Sequence, residues 1–64
     1  MKLGKSVLYF YSERLKNIYF LNIETNTNIK INGEAATQIY EMIAHGKDRP
    51  IDMSELKEMG FVND

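Results

Sequence analysis

The side chains that could support acid–base or metal chemistry are few in this 64-residue chain. His45 is its one histidine, and the chain has no cysteine. Because zinc sites need several nitrogen or sulfur ligands at defined spacings, His45 alone predicts no metal site. The absence of cysteine excludes disulfides, thiolate metal ligands and cysteine nucleophiles. His45 falls in the last turn of a predicted helix, where the helix dipole favours positive charge, so we interpret it as structural.

Two pairs of carboxylates could in principle serve as a general acid and a general base. One pair is Glu13 with Glu24, beside predicted turns, and the other is Asp52 with Glu55, in a helix-capping sequence. These local roles explain the carboxylates better than catalysis does. The glycines form neither a dinucleotide-binding loop nor a phosphate-binding loop. The sequence therefore predicts a binding protein that is not an enzyme and has no cofactor.

The charges of the chain are balanced and scattered. Eight basic and nine acidic residues give a net charge of −1, and the absence of a basic stripe argues against nucleic acid as the main partner. Strand aromatics such as Tyr9 and Phe20 could stack on bases, but without a basic surface we interpret them as packing residues. The longest apolar run, residues 7–11, is far shorter than the roughly 20 residues that cross a membrane. We expect one cytoplasmic domain covering residues 1–64, with no membrane contact.

The first half of the chain predicts three short strands, over residues 6–12, 18–24 and 29–31. Short polar connections make them an antiparallel meander, in which the first and third strands are the edges. One face of the second strand is apolar throughout, so we assign it to the core: Tyr19, Leu21 and Ile23.

A long amphipathic helix follows the third strand. Asn32 is predicted to cap its first turn, because an asparagine side chain accepts hydrogen bonds from otherwise unpaired amides. The helix should run to about His45 and end at Gly46, which adopts the left-handed conformation at little cost. Four apolar side chains at helical spacing form the stripe that would cover the sheet: Ala36, Ile39, Tyr40 and Ile43.

A second, shorter helix is predicted over residues 53–59. It starts from a capping sequence led by Asp52 and ends at Gly60, with Phe61 packing back on Leu56. The predicted fold class is therefore α+β: a three-stranded antiparallel meander followed by two to three helices, in a winged-helix-like arrangement.

Residues 21–47 also carry a family resemblance. The pattern begins with a turn at Thr27-Asn28, followed by Ile31-Asn32 at a position where the family has Leu-Asn. A pair of small residues, Ala35-Ala36, comes next. Residues 39–43 then match a helix signature, and Gly46-Lys47 matches the end of that helix. Residues 56–62 are similar to the end of a last helix. In this pattern the chain resembles small PqqD-like domains, the RiPP recognition elements. One of the family's three helices is missing or reduced here, Asn28 replaces a glycine, and Tyr40 replaces the usual tryptophan.

The resemblance implies a domain that binds the leader region of a ribosomally made precursor peptide and presents it to a modifying enzyme, such as a radical SAM maturase. The leader would add as a strand beside the third strand, in a groove closed by the last helix. The residues expected to contact the peptide are Asn28, Ile29, Lys30, Ile31, Asn32, Met53, Leu56, Lys57 and Phe61. Alternatively, Leu56 and Phe61 belong to the core, and Lys30 guards the edge strand against aggregation.

Two other functions remain open at this point. A small winged-helix-like regulator would bind DNA, but the predicted second helix carries Glu55 and Glu58 against the single Lys57, which disfavours it. A structural module would instead form a homodimer by pairing its exposed edge strands.

Overall fold

Alternating apolar side chains and tight polar turns build a three-stranded antiparallel sheet. The structure, a computed structural model, describes residues 1–63. Its elements run in the order β1 (Lys2–Leu3), β2 (Val7–Ser12), β3 (Asn17–Asn22), β4 (Thr27–Asn32), α1 (Glu34–His45), α2 (Ser54–Glu58) and β5 (Val62–Asn63). The main sheet has the order β2-β3-β4. The predicted α+β class and the meander with β2 and β4 at its edges are confirmed.

Two asparagines stabilise the turn between β3 and β4, one at each end of it. The Asn22 side-chain oxygen accepts from the amides of Glu24, at 3.0 Å, and Thr25, at 3.2 Å. Asn26 adopts a left-handed φ of 58°, which asparagine tolerates better than most residues. This local bonding closes the hairpin and sets the register of the two strands.

The core face of β3 is the opposite of the predicted one. Ile18 and Phe20 are fully buried, whereas Ile23 is 61% exposed and Tyr19 and Leu21 are only half-buried. Assigning the core to Tyr19, Leu21 and Ile23 was therefore wrong.

The register explains this reversal. Ile18 lies opposite Ile31, and Phe20 lies opposite Ile29, so the isoleucines of β4 bring their β3 neighbours to the face that packs under α1. Asn22 made this face look polar in the sequence, but its side chain is buried and satisfied by the turn. Only the pairing of strands, and not the pattern within β3, decides between the two faces.

Helix α1 starts differently from the prediction. Asn32 is the last residue of β4, and no side chain caps the helix; the residue before α1 is Gly33, with φ 82° and ψ −156°. The predicted cap at Asn32 is wrong because this residue still pairs with Asn17 in the sheet. The Gly33 carbonyl accepts from Ala36 at 3.0 Å and begins the helix. The predicted end is confirmed, with Gly46 in the left-handed conformation.

Helix α2 is shorter than predicted but ends as expected. Its N-cap residue is Met53, which makes no side-chain capping bond, so the predicted start from a capping box led by Asp52 is wrong. The Asp52 carboxylate accepts from the Ser54 amide at 2.9 Å, which satisfies one of the first unpaired amides of the helix. At the other end, Gly60 has φ 82°, and the amide of Phe61 donates to the carbonyl of Leu56 at 2.9 Å. These bonds form the predicted glycine-terminated helix end, with Phe61 turned back into the core.

The two ends of the described chain form a small antiparallel sheet that the sequence did not predict. β1 pairs with β5, Leu3 opposite Val62, and the Gly4 amide donates to the Phe61 carbonyl at 2.8 Å. A side chain at position 4 would collide with the carbonyl oxygen of Gly60. Phe61 lies against Phe20, with ring centroids 5.8 Å apart. The last segment is therefore part of the core and does not trail from it.

Candidate functional site

The open edge of the main sheet is the first component of the candidate site. β4 pairs with β3 along its whole length, and among the described residues no strand pairs with its other edge. An unpaired edge presents a row of amides and carbonyls that can bind another extended chain.

One hydrogen bond outside the strands fixes which backbone groups face this edge. Opposed residues of an antiparallel ladder alternate between pairs that exchange hydrogen bonds and pairs that exchange none. The Gly33 amide donates to the Lys16 carbonyl at 2.7 Å, so this pair is of the bonded kind. Counting back by two, Ile31 and Ile29 also direct their backbone groups toward β3.

The intervening residues of β4 therefore direct their amides and carbonyls outward. These residues are Asn28, Lys30 and Asn32, and all three are exposed. Three outward residues in a six-residue strand offer up to three amides and three carbonyls to an added strand. The backbone groups that could bind a peptide thus come from Asn28, Lys30 and Asn32, and not from Ile29 and Ile31.

The second component is an apolar groove of about 220 Å³ that runs beside β4. Its floor combines the inward side chains of β4 with residues of α1. Its wall is formed by α2 and by the segment leading into α2, and this wall carries two carboxylates. The lining comprises Ile29, Ile31, Ala35, Ile39, Ile51, Asp52, Glu55 and Leu56.

The structure divides the predicted site residues into three groups. Residues 28–32 all lie on the edge strand, with Ile29 and Ile31 also lining the groove. Leu56 is buried but reaches the groove wall, so it serves both the core and the groove. Met53 and Phe61 are core residues that do not line the groove, and Lys57 lies on an exposed part of α2, also outside the groove lining.

Several residues that line the groove were not predicted from the sequence. Ile51 is an isolated apolar residue after Pro50, without periodicity to mark it. Its amide donates to the Arg49 carbonyl at 2.8 Å, which turns the chain toward the groove. Ile39 belongs to the predicted apolar stripe of α1, whereas Ala35 lies outside that stripe, and the helical pattern did not indicate that either residue lines a groove.

A salt bridge holds the segment that carries the groove wall. Nε of Arg49 donates to Oε1 of Glu41 at 2.8 Å, and Nζ of Lys47 lies 3.9 Å from the other oxygen. The hydrogen bond from Arg49 keeps the pKa of Glu41 below its usual value, and nearby positive charges act in the same direction. This clasp joins the last turns of α1 to the chain just before Ile51.

The groove rim carries two carboxylates. Hydrogen bonds from the backbone and side chain of Ser54 lower the pKa of Asp52, so its carboxylate is ionised across the physiological range. Glu55 stands one turn along, in the first turn of α2. The positive charge of Lys57 also acts to lower the pKa of Asp52, so a molecule that enters the groove meets an apolar floor and a rim that carries charges of both signs.

A second concavity, of about 380 Å³, lies on the β2 side of α1. Its aromatic walls are Tyr11 and Tyr40, which stack with centroids 4.1 Å apart and planes 6° from parallel. The hydroxyls of Tyr11 and Thr37 are hydrogen-bonded at 3.1 Å, and His45 meets the Tyr40 ring edge-on. These contacts pack the side chains of β2 against α1.

Two further features are absent from the described part of the chain. Within residues 1–63, no three His, Cys, Asp or Glu side chains are grouped so that they could hold a metal ion. No helix described there combines the length and the apolar character needed to cross a membrane. The chain matches no protein-family model, no curated protein and no solved structure.

Proposed function

We propose that this protein binds an extended peptide as an added strand beside β4 and presents it to a modifying enzyme. The observation that carries the proposal is the coincidence of an open strand edge with an apolar groove along it. Either feature alone is common, but binding of a peptide as an added strand requires both. The edge supplies main-chain hydrogen bonds, and the groove supplies selectivity for side chains.

The peptide would bond to the outward backbone groups of Asn28, Lys30 and Asn32. Residues directly opposite each other in neighbouring strands point to the same face of a sheet. The peptide residue opposite Lys30 would therefore point away from the groove, and its two neighbours would point into it. Those neighbours would pack on Ile29, Ile31 and Leu56, so we expect apolar residues at alternate positions of the peptide.

The proposed peptide is the leader region of a ribosomally made precursor, and the proposed enzyme is a maturase such as a radical SAM protein. The support is the resemblance of residues 21–47 to PqqD-like recognition domains, together with the observed order of strands, helix and short second helix. The finer, winged-helix-like description of the fold and a cytoplasmic location belong to the same proposal.

A binding titration tests the proposal. The probe is a synthetic leader peptide from a precursor gene next to this one, and binding is followed by calorimetry. The matched control is the same peptide with N-methyl groups on the alternate amides that would face β4, which keeps every side chain but removes the hydrogen bonds that the peptide would donate to the β4 carbonyls. We expect the unmodified leader to bind and the methylated leader to lose at least about tenfold in affinity. Equal binding of both peptides, or of neither, would refute strand addition.

The open edge also bears on the alternative of a homodimer formed by pairing two β4 strands. Such a dimer would occupy the same outward backbone groups as a peptide, so it would compete with the leader. Lys30 in the middle of this strand opposes such pairing, because two antiparallel copies would bring their lysines close together. No feature of the described residues favours the DNA-binding alternative.

A further inference from the structure

The outer face of the main sheet, which points away from α1, is apolar at its centre. Leu8 is 47% exposed and Phe10 is 58% exposed on β2, and Tyr19 and Leu21 are half-buried beside them on β3. We call these four residues the outer patch. In the described part of the chain, no element packs over them.

The outer patch is contiguous. Leu8 lies opposite Leu21, and Phe10 lies opposite Tyr19, with ring centroids 6.4 Å apart. Scattered apolar residues on a surface need no explanation, but a contiguous patch on a sheet face is typical of an interaction surface. The fold does not require these side chains, since its core is built on the other face.

The charges on this face constrain the partner. On β4 the row of Leu8 and Leu21 continues with Asn28, and the row of Phe10 and Tyr19 continues with Lys30. Lys30 is the one charged side chain among the outward positions of these three strands. The face therefore consists of two parallel rows, one ending in an amide and the other in an ammonium group.

We propose that the outer patch binds a second copy of this chain, forming a face-to-face dimer of two sheets. The two-fold axis of this dimer lies parallel to the two sheets, perpendicular to the strands, and midway between the two rows. Rotation about it places each row of one copy over the other row of the second copy. Phe10 then lies over Leu8 of the second copy, and Tyr19 lies over Leu21 of the second copy. Each ring meets a smaller aliphatic side chain, as interdigitated sheets require.

The same operation separates the charges. Lys30 lies over Asn28 of the second copy, whose side-chain oxygen can accept a hydrogen bond from the ammonium group. The two Lys30 side chains do not face each other, so the dimer contains no direct like-charge contact. The open edge of β4 and its groove lie outside the packed faces, so this dimer does not depend on the proposed peptide binding.

The size of the face sets the expected strength. Three strands about 4.8 Å apart and six residues of about 3.4 Å each give a face of about 14 by 20 Å. This footprint of about 280 Å² is about a third of the roughly 800 Å² that each partner buries in a standard interface. We therefore expect a reversible dimer with a Kd on the order of 100 µM.

Sedimentation equilibrium on the full chain tests the proposal, at protein concentrations from about 10 µM to about 1 mM to bracket the expected Kd. We expect a monomer–dimer equilibrium that Phe10→Ser weakens at least about tenfold, because symmetry removes the contact twice. The matched control is Leu15→Ser. Leu15 is 70% exposed in the β2–β3 turn, off the outer patch, and its substitution should leave the Kd unchanged.

A charge substitution adds a gain-of-function arm. Asn28→Asp places a carboxylate under Lys30 of the second copy at both symmetric positions, so we expect dimerisation to tighten by about fivefold. Asn28→Lys should weaken it. A wild-type chain that stays monomeric throughout the range would overturn the proposal. So would a dimer that Phe10→Ser does not weaken, or one that Leu15→Ser weakens equally.

Discussion

At the scale of single residues, Gly33 determines how the sheet passes into the helix. Its φ of 82° and ψ of −156° lie in a region that is essentially restricted to glycine. The space around its Cα is open, with no atom within 4 Å of where a Cβ would stand. Its conformational freedom is therefore the reason for glycine here, and crowding is not.

Gly33→Ala should destabilise the fold by about 1–3 kcal/mol, from backbone strain alone. Asn32→Ala is the matched comparison, because a true N-cap asparagine would cost about 1 kcal/mol when replaced. Since Asn32 makes no capping bond, we expect its replacement to cost less than about 0.5 kcal/mol. Urea unfolding of the two variants measures both changes, and a larger loss from Asn32→Ala than from Gly33→Ala would contradict this account of the junction.

At the scale of elements, the phase of hydrogen bonding along β4 separates its residues into two kinds. The amides of Ile29 and Ile31 belong to the sheet, and those of Asn28, Lys30 and Asn32 belong to the open edge. Proline distinguishes the two kinds, because it removes an amide hydrogen and is accepted at an edge only where that hydrogen points outward.

Lys30→Pro should leave the fold intact, because it removes no bond to β3, yet it should weaken leader binding at least about tenfold. Ile31→Pro should destabilise the fold by several kcal/mol, because it breaks the ladder and places a ring against β3. Circular dichroism and calorimetry on both variants, with Lys30→Ala to control for the lost charge, separate the two effects. A Lys30→Pro chain that folds and still binds the leader normally would refute the assigned edge.

Sequence patterns predicted the elements better than their faces. The end of α1 at Gly46 and the glycine-terminated end of α2 follow from local chemistry, so they could be predicted. The core face of β3 could not be predicted, because it includes the polar residue Asn22. Only the pairing of β3 with Ile29 and Ile31 identifies this face. Of the candidate site, the edge strand was predictable, whereas Ile51 and Asp52 reach the groove through a turn that has no periodic pattern.

At the scale of the whole molecule, two contacts tie the C-terminal third to the rest of the chain. One is the pairing of β1 with β5, whose two-residue strands are too short to show any alternation in the sequence. The other is the salt bridge from Glu41 to Arg49, which anchors the segment that carries the groove wall. The groove therefore depends on contacts between distant parts of the chain.

The Glu41 clasp predicts a pH dependence. Its pKa is lowered in the folded chain from a usual value of 4.5, so the stabilisation is present above pH 4.5 and is lost as the pH falls through the lower, folded value. Asp52, bonded to Ser54, acts in the same direction from a usual value of 3.8. Stability should therefore fall below about pH 4.5.

Thermal unfolding between about pH 3 and pH 7 measures this dependence. Arg49→Gln removes the partner of Glu41 and should flatten the profile. Arg14→Gln, in the β2–β3 turn, makes the same change in net charge and should leave the profile's shape unaltered. If both variants flatten it equally, the dependence reflects overall charge rather than the clasp.

Amide hydrogen exchange of β4, measured with and without the leader peptide, shows whether the peptide adds to this edge as a strand. We expect Ile29 and Ile31 to exchange slowly in the free protein, because their amides already bond to β3. The amides of Asn28, Lys30 and Asn32 should exchange rapidly until the leader binds, and then slow by at least about tenfold. Bound leader that leaves these three amides unprotected would contradict the claim that the peptide adds as a strand to this edge.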